Sequence, residues 1–229
     1  MAESRAGSPT WTALLHLCDS LFPTGGYAHS DGLEAATDSG AVTSADDLRA
    51  WMRVLLHDTI GRAEAPAIVL AWEAARDRQW TALRGLDAEL HALRPSSTAR
   101  QASRGVGTRL LKTWSHIYPS EVVSLALAAG EPWTLPVAFA VAALSADADR
   151  RTAVEAYAYT RLASTASAAM RLMRLGQLEA HSTLAAVLGG IPAMASAALT
   201  QHARPAAFTP LADIATMRQQ YVVTRLFRS

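Results

Sequence analysis

Apolar residues recur at spacings of three and four along most of the chain, and proline and glycine punctuate the pattern. The clearest run follows Ser44, where Leu48, Trp51, Met52, Leu55, Leu56, Thr59 and Ile60 form a single stripe. An α-helix turns such a stripe toward a core. Ser44 and Asp47 have the spacing of a capping box, in which a hydroxyl and a carboxylate satisfy each other's backbone N–H groups. The same periodicity predicts helices over 11–21, through Leu33 and Glu34 up to Gly40, and over 67–78, 80–93 and 97–116. Two short helices flank the turn between Pro132 and Pro136. Others follow over 150–175 and 179–188, then a short one to Thr200 and a last one from Thr209, with Pro210 at the first helical position, where proline is favoured. Pro66, Pro95 and Pro119 are expected to separate helices, because proline lacks the N–H that a helix interior uses.

These elements predict an all-α protein, a single bundle of about ten helices with a C-terminal docking tail. Residues 1–10 are expected to be a flexible N-terminus, 11–202 the helical domain, and 203–229 a linker and docking segment. The most apolar stretch, 122–146, is interrupted by Gly130, Glu131, Pro132 and Pro136. A membrane span needs about 20 unbroken apolar residues, so two buried helices are the better reading.

Composition narrows the function classes. Half of the 229 residues are hydrophobic and 18% are charged, enough for a real core and incompatible with wholesale disorder. The net charge of +1 argues against a protein that coats nucleic acid. Cys18 is the only cysteine, so neither an intrachain disulfide nor a thiolate zinc site can be built. Glu3 and Arg5 lead into no long apolar run, so no signal peptide, no membrane and a cytoplasmic location are expected.

Catalytic constellations are hard to find. His29-Ser30-Asp31 holds the residue types of a hydrolytic triad, but a triad needs side chains converging from separate elements. His29, Asp31 and Glu34 do not share one helical face as metal ligands would. The glycine pair after Pro23-Thr24 lacks the Gly-Lys-Ser/Thr ending of a phosphate-binding loop. No catalytic residue, cofactor site or metal site is therefore expected. Two segments look made for recognition. One is the glycine loop with Tyr27, His29, Ser30 and Glu34. The other is the C-terminus, where Tyr221, Leu226 and Phe227 stand beside Arg225 and Arg228, the aromatic and arginine mixture that binding hot spots use. Tyr27 reads equally as a core tyrosine beneath the loop, Ser30 as a helix N-cap, and Leu226 and Phe227 as side chains folded back on the bundle.

Five blocks, in order along the chain, resemble the UreF family of urease accessory proteins. The first spans residues 14–34 and contains Ser20-Leu21-Phe22-Pro23, Gly25-Gly26-Tyr27 and Ser30-Asp31-Gly32-Leu33-Glu34. The next are Arg100-Gln101-Ala102-Ser103-Arg104 with Gly107 and Leu110-Leu111, then Leu135-Pro136-Val137-Ala138-Phe139. The last two are residues 167–172 with Gly176-Gln177, and Thr209-Pro210-Leu211 with Arg225-Leu226-Phe227-Arg228-Ser229. Thr24, Asp31, Leu135, Ala140, Arg174 and His181 depart from the family pattern. The resemblance implies a non-enzymatic, homodimeric adaptor that joins UreD/UreH to the GTPase UreG, so that nickel enters apo-urease. It implies that Arg225 and Arg228 pair with UreD/UreH, with Phe227 as apolar anchor. Tyr27, the Arg171 helix and Gln177 would face UreG, with Arg171 a candidate to act on the GTPase in trans. A helical transcriptional regulator and a small helical enzyme with an apolar substrate are the alternatives. The first would need clustered basic residues on one helix and the second paired carboxylates on facing helices.

Overall fold

The computed structural model describes residues 11–130, 132–200, 204–207 and 209–228. The expected flexible segment 1–10, part of the expected linker, His202 and Ser229 lie outside the described residues. The helices are α1 (Trp11–Leu17), α2 (Leu33–Asp38), α3 (Ala45–Val54), α4 (Ala65–Arg76), α5 (Trp80–Leu93), α6 (Ser97–Ile117), α7 (Glu121–Ala128), α8 (Leu135–Ser145), α9 (Arg150–Leu172), α10 (Gln177–Leu188), α11 (Ile191–Thr200) and α12 (Pro210–Arg218). No strand occurs among the described residues. The architecture is the all-α bundle that the periodicity predicts.

Helix α8 is the axis. It is apolar all round, with every residue from Pro136 to Ala143 buried, the pattern of a helix enclosed by others. Helices α4, α6, α7 and α9 pack around it, and the T-shaped pair Phe139–Tyr157, 5.2 Å between ring centres, joins it to α9. A buried helix start needs partners for its free N–H groups. Here Asp87 of α5 accepts from Thr134 N at 2.6 Å, and α6 supplies Ser103 Oγ to Leu135 N and Thr108 Oγ1 to Trp133 N. The α6 backbone comes this close because residue 107 is glycine: a Cβ there would lie 2.4 Å from the Trp133 carbonyl oxygen.

The capping box at Ser44 and Asp47 is formed, with Asp47 N donating to Ser44 Oγ at 3.2 Å and Ser44 N to Asp47 Oδ2 at 3.0 Å. Pro66 departs from expectation, because it does not separate two helices. From α3 the chain continues through a π-helical run, Leu55–Glu64, directly into α4. Pro66 has no N–H for the carbonyl four residues back, that of Arg62, and Ala206 N donates to this oxygen at 3.0 Å. The wider turn thus absorbs the proline, and the segment before α12 fills the vacancy.

Other boundaries shift less. Helix α1 ends at Leu17 instead of residue 21, where the Asp19 side chain accepts from Leu21 N at 2.8 Å and draws the chain into a turn. Helix α9 ends at Leu172, with Met173 extended. By length and apolarity the run Gln177–Thr200 could cross a membrane. It is broken between α10 and α11, and it lays Ala180, Leu184, Val187, Ile191, Met194 and Ala198 against the body.

Gly107→Ala should lower thermal stability. The overpacking cost of about 1–3 kcal/mol outweighs the helix propensity that alanine adds. A melting temperature several degrees lower is expected, and a higher one would show that the α6–α8 approach relaxes freely.

Candidate partner-docking surface

The glycine loop enters the left-handed region of the backbone at two places before α2. Gly25 has φ 74°, and Asp31 and Gly32 follow each other in the left-handed region at 51° and 87°. Gly32 is the N-cap of α2, and a Cβ there would meet Thr216 of α12 at 2.8 Å. Ser30, expected as the possible cap, is instead buried two residues earlier, its Oγ 3.5 Å from Glu34 N. Left-handed backbone at residues 31 and 32 moves the helix start past it.

Glu34 holds the C-terminus down. Its carboxylate is 3% exposed and accepts from Gln219 Nε2, from Leu226 N at 2.5 Å and from Phe227 N at 3.2 Å. Gln219, itself buried, uses its carbonyl oxygen to accept from Ala35 N at 3.2 Å. Arg228 N then donates to the Ala28 carbonyl at 2.8 Å. Phe227 is 3% exposed, under the Arg171 guanidinium at 4.2 Å, and Arg171 also donates to the Tyr27 carbonyl at 3.1 Å. The two recognition segments, at opposite ends of the chain, are therefore one surface.

This arrangement sorts the expected site residues. Phe227, expected as an anchor presented to a partner, is inserted into its own chain, because the Glu34 carboxylate pins the backbone on either side of it. Glu34 likewise faces inward. Tyr27 is 74% exposed, so it is not the core tyrosine that the loop composition allowed. Tyr221 at 76% and Val223 at 99% are open, as are Arg225, Leu226 and Arg228. His29 is half-buried. Burial, together with Arg228, Arg109 and Arg161, outweighs Asp31 and lowers its imidazole below the ordinary range, which favours the neutral ring. Gln177 stands exposed at the first position of α10, outside these hydrogen bonds.

A charged cluster beneath the loop escaped the sequence reading. Arg161 of α9 donates to Asp31 Oδ2 at 2.6 Å and lies 3.5 Å from Glu64, which is also paired with Arg94. Tyr157 Oη donates to Glu64 at 3.0 Å. Burial alone would raise the Asp31 carboxyl, but the Arg161 and Arg94 guanidiniums overcome it and hold it below the usual carboxylate range. Its stabilising contribution is thus present above its unfolded value and is lost as pH falls through the folded one. Burial works against the Arg161 charge, and Asp31 and Glu64 more than restore it. The Tyr157 phenol is raised well above 10 by burial and by Glu64, so it stays a donor. No local signal in the sequence marks the cluster, because Glu64 and Arg161 each stand among other polar residues of their helical runs.

Among the described residues no group of three or more His, Cys, Asp or Glu could hold a metal ion. Asp31 and Glu34, weighed as ligands, are committed to Arg161 and to the tail. Burial pushes the Cys18 thiol up to about 11, far from a reactive thiolate.

Comparison with known proteins gives the surface a context. A family model described as UreF matches residues 42–188. A urease accessory protein UreF of Methylibium petroleiphilum is 33% identical over 227 residues, covering 97% of this chain and 95% of that protein. A UreF of Cupriavidus pinatubonensis is 29% identical over 222 residues, 95% of this chain and 96% of its own. A bifunctional urease accessory protein UreEF of Bordetella bronchiseptica is 32% identical over 222 residues, which are 95% of this chain and 51% of that longer protein. A match over more than half the chain, extended by relatives over nearly its whole length, is decisive: the chain belongs to the UreF family of urease accessory proteins.

Proposed function

We propose that this protein is a cytoplasmic, non-enzymatic adaptor in urease maturation. It joins UreD/UreH to the GTPase UreG, so that nickel is inserted into apo-urease at the cost of GTP, and it works as a homodimer. The observation that carries this reading is the union of glycine loop and tail. A stapled backbone presents Tyr27, Tyr221, Val223 and Leu226 beside Arg225 and Arg228. Large apolar and arginine side chains held on a rigid base are what a binding hot spot needs, since little side-chain or backbone freedom is left to lose on docking.

Roles divide within this surface. Glu34, Ser30 and Phe227 hold it from inside. Arg225, Leu226, Arg228 and Tyr221 contact UreD/UreH, and Tyr27 with His29 and Gln177 contacts UreG. Arg171 sits at the joint, bonded to the Tyr27 carbonyl and stacked on Phe227. Its influence on GTP hydrolysis comes through the pose of the loop. A guanidinium engaged on both counts would have to release both contacts to reach a nucleotide.

Removing residues 225–229 should abolish co-purification with UreD/UreH while leaving helicity unchanged. Undiminished co-purification would exclude the tail as the docking element. Tyr27→Ala should weaken UreG recruitment to the preformed complex with UreD/UreH by about tenfold, the size of an ordinary aromatic hot spot. Recruitment equal to wild type, read by gel filtration, would remove Tyr27 from the interface. The purified chain alone should turn over no GTP, and sustained hydrolysis would contradict the adaptor reading.

A further inference from the structure

The backbone from Tyr27 to Asp31 bridges a cavity of about 160 Å³, lined on its far side by Tyr157, Arg161, Ser164, Ala168 and Arg171. The arginines belong to one face of α9, since positions 161, 164, 168 and 171 follow the three-and-four spacing of a helix. Arg161 grips Asp31 at one end of the bridge at 2.6 Å, and Arg171 grips the Tyr27 carbonyl at the other at 3.1 Å. The segment is held by these two grips together with the tail's contact between Arg228 N and the Ala28 carbonyl, the turn bonds of Ala28 N and His29 N, and the buried Ser30, whose Oγ accepts from Glu34 N.

The two grips are unequal. Arg171 is exposed, whereas the Arg161 side chain is only 12% exposed and is braced from behind by Glu64, which Arg94 and Tyr157 hold in turn. The Arg161 guanidinium is hydrogen-bonded to Asp31 and lies against the Glu64 charge at 3.5 Å, with its buried Nε making no hydrogen bond. Asp31 needs such a partner, for a non-glycine residue at φ 51° gives up some backbone energy unless its surroundings compensate.

We infer that Asp31 and Arg161 are positioning residues for UreG recognition: the Arg94–Glu64–Arg161–Asp31 chain sets the pose in which the loop presents Tyr27. The inference rests on the adaptor reading and deepens it. It assigns to a charged cluster at the base of the loop a stronger hold on one partner than on the other. The tail's anchor, Glu34, takes no part in the chain, and the tail meets the loop between the two grips through Arg228 N, so docking of UreD/UreH depends on the cluster less than recruitment of UreG does.

The test is Asp31→Asn, because asparagine tolerates left-handed backbone and the substitution removes only the charge. In the isolated full-length chain, amide hydrogen exchange of residues 27–31 should accelerate while that of α8 stays at the wild-type rate. The variant should still form the complex with UreD/UreH, and its recruitment of UreG should fall about tenfold. Unchanged exchange in the loop would overturn the clamp. Faster exchange with full recruitment would show that the pose does not serve the partner. Loss of UreD/UreH binding would show that the cluster supports the tail instead. A wild-type complex that recruits no UreG would remove the adaptor reading and this role together. Failure of the clamp is read separately, because the exchange measurement needs only the isolated chain.

Discussion

The Glu34 carboxylate, buried one residue into α2, is the point on which the presented surface depends. It accepts N–H groups from Gln219, Leu226 and Phe227, and so joins residues nearly two hundred positions away in sequence to the loop that precedes its own helix. A buried carboxylate is tolerable only when donors surround it, and a short C-terminal tail stays ordered only when its backbone groups find acceptors. Each requirement answers the other. With the tail held, Phe227 fills the space beneath Arg171, the Arg228 backbone reaches the loop carbonyl, and Tyr221, Val223, Arg225 and Leu226 point outward.

The body of the fold was legible because periodicity and capping are local. Leu48 through Ile60 announced a buried stripe, Ser44 with Asp47 announced its start, and the apolar run around Val137 announced the central helix. The π-helical passage was not legible. Pro66 signals a helix boundary, yet the chain runs helical through it, with Ala206, far along the sequence, donating to the carbonyl that the proline leaves free. Residues needing a distant partner failed in the same way. Ser30 has the composition of a cap, but the left-handed Asp31 and Gly32 shift the helix start. Phe227 has the composition of an exposed anchor, but Glu34 turns its backbone inward. Asp31 has the residue type of a metal ligand, and Arg161 carries no local sign of its role, because nothing in the sequence says which residue faces it across the bundle.

The structure divides into a firm body and a stapled rim. Helix α8 is enclosed on all sides and its first turn is satisfied by Asp87, Ser103 and Thr108, so the core does not depend on what docks outside. The rim is held by a few strong polar contacts over a small cavity. Membership of the UreF family places the chain among the urease accessory proteins, and the contacts of this surface separate residues that face outward from residues that keep them there.

Co-expression of the chain with UreD/UreH and UreG, followed by size-exclusion chromatography with light scattering, tests the adaptor account most directly. The account predicts one species containing all three proteins in fixed stoichiometry, with two copies of this chain. A chain that elutes alone, with neither partner retained, would contradict it.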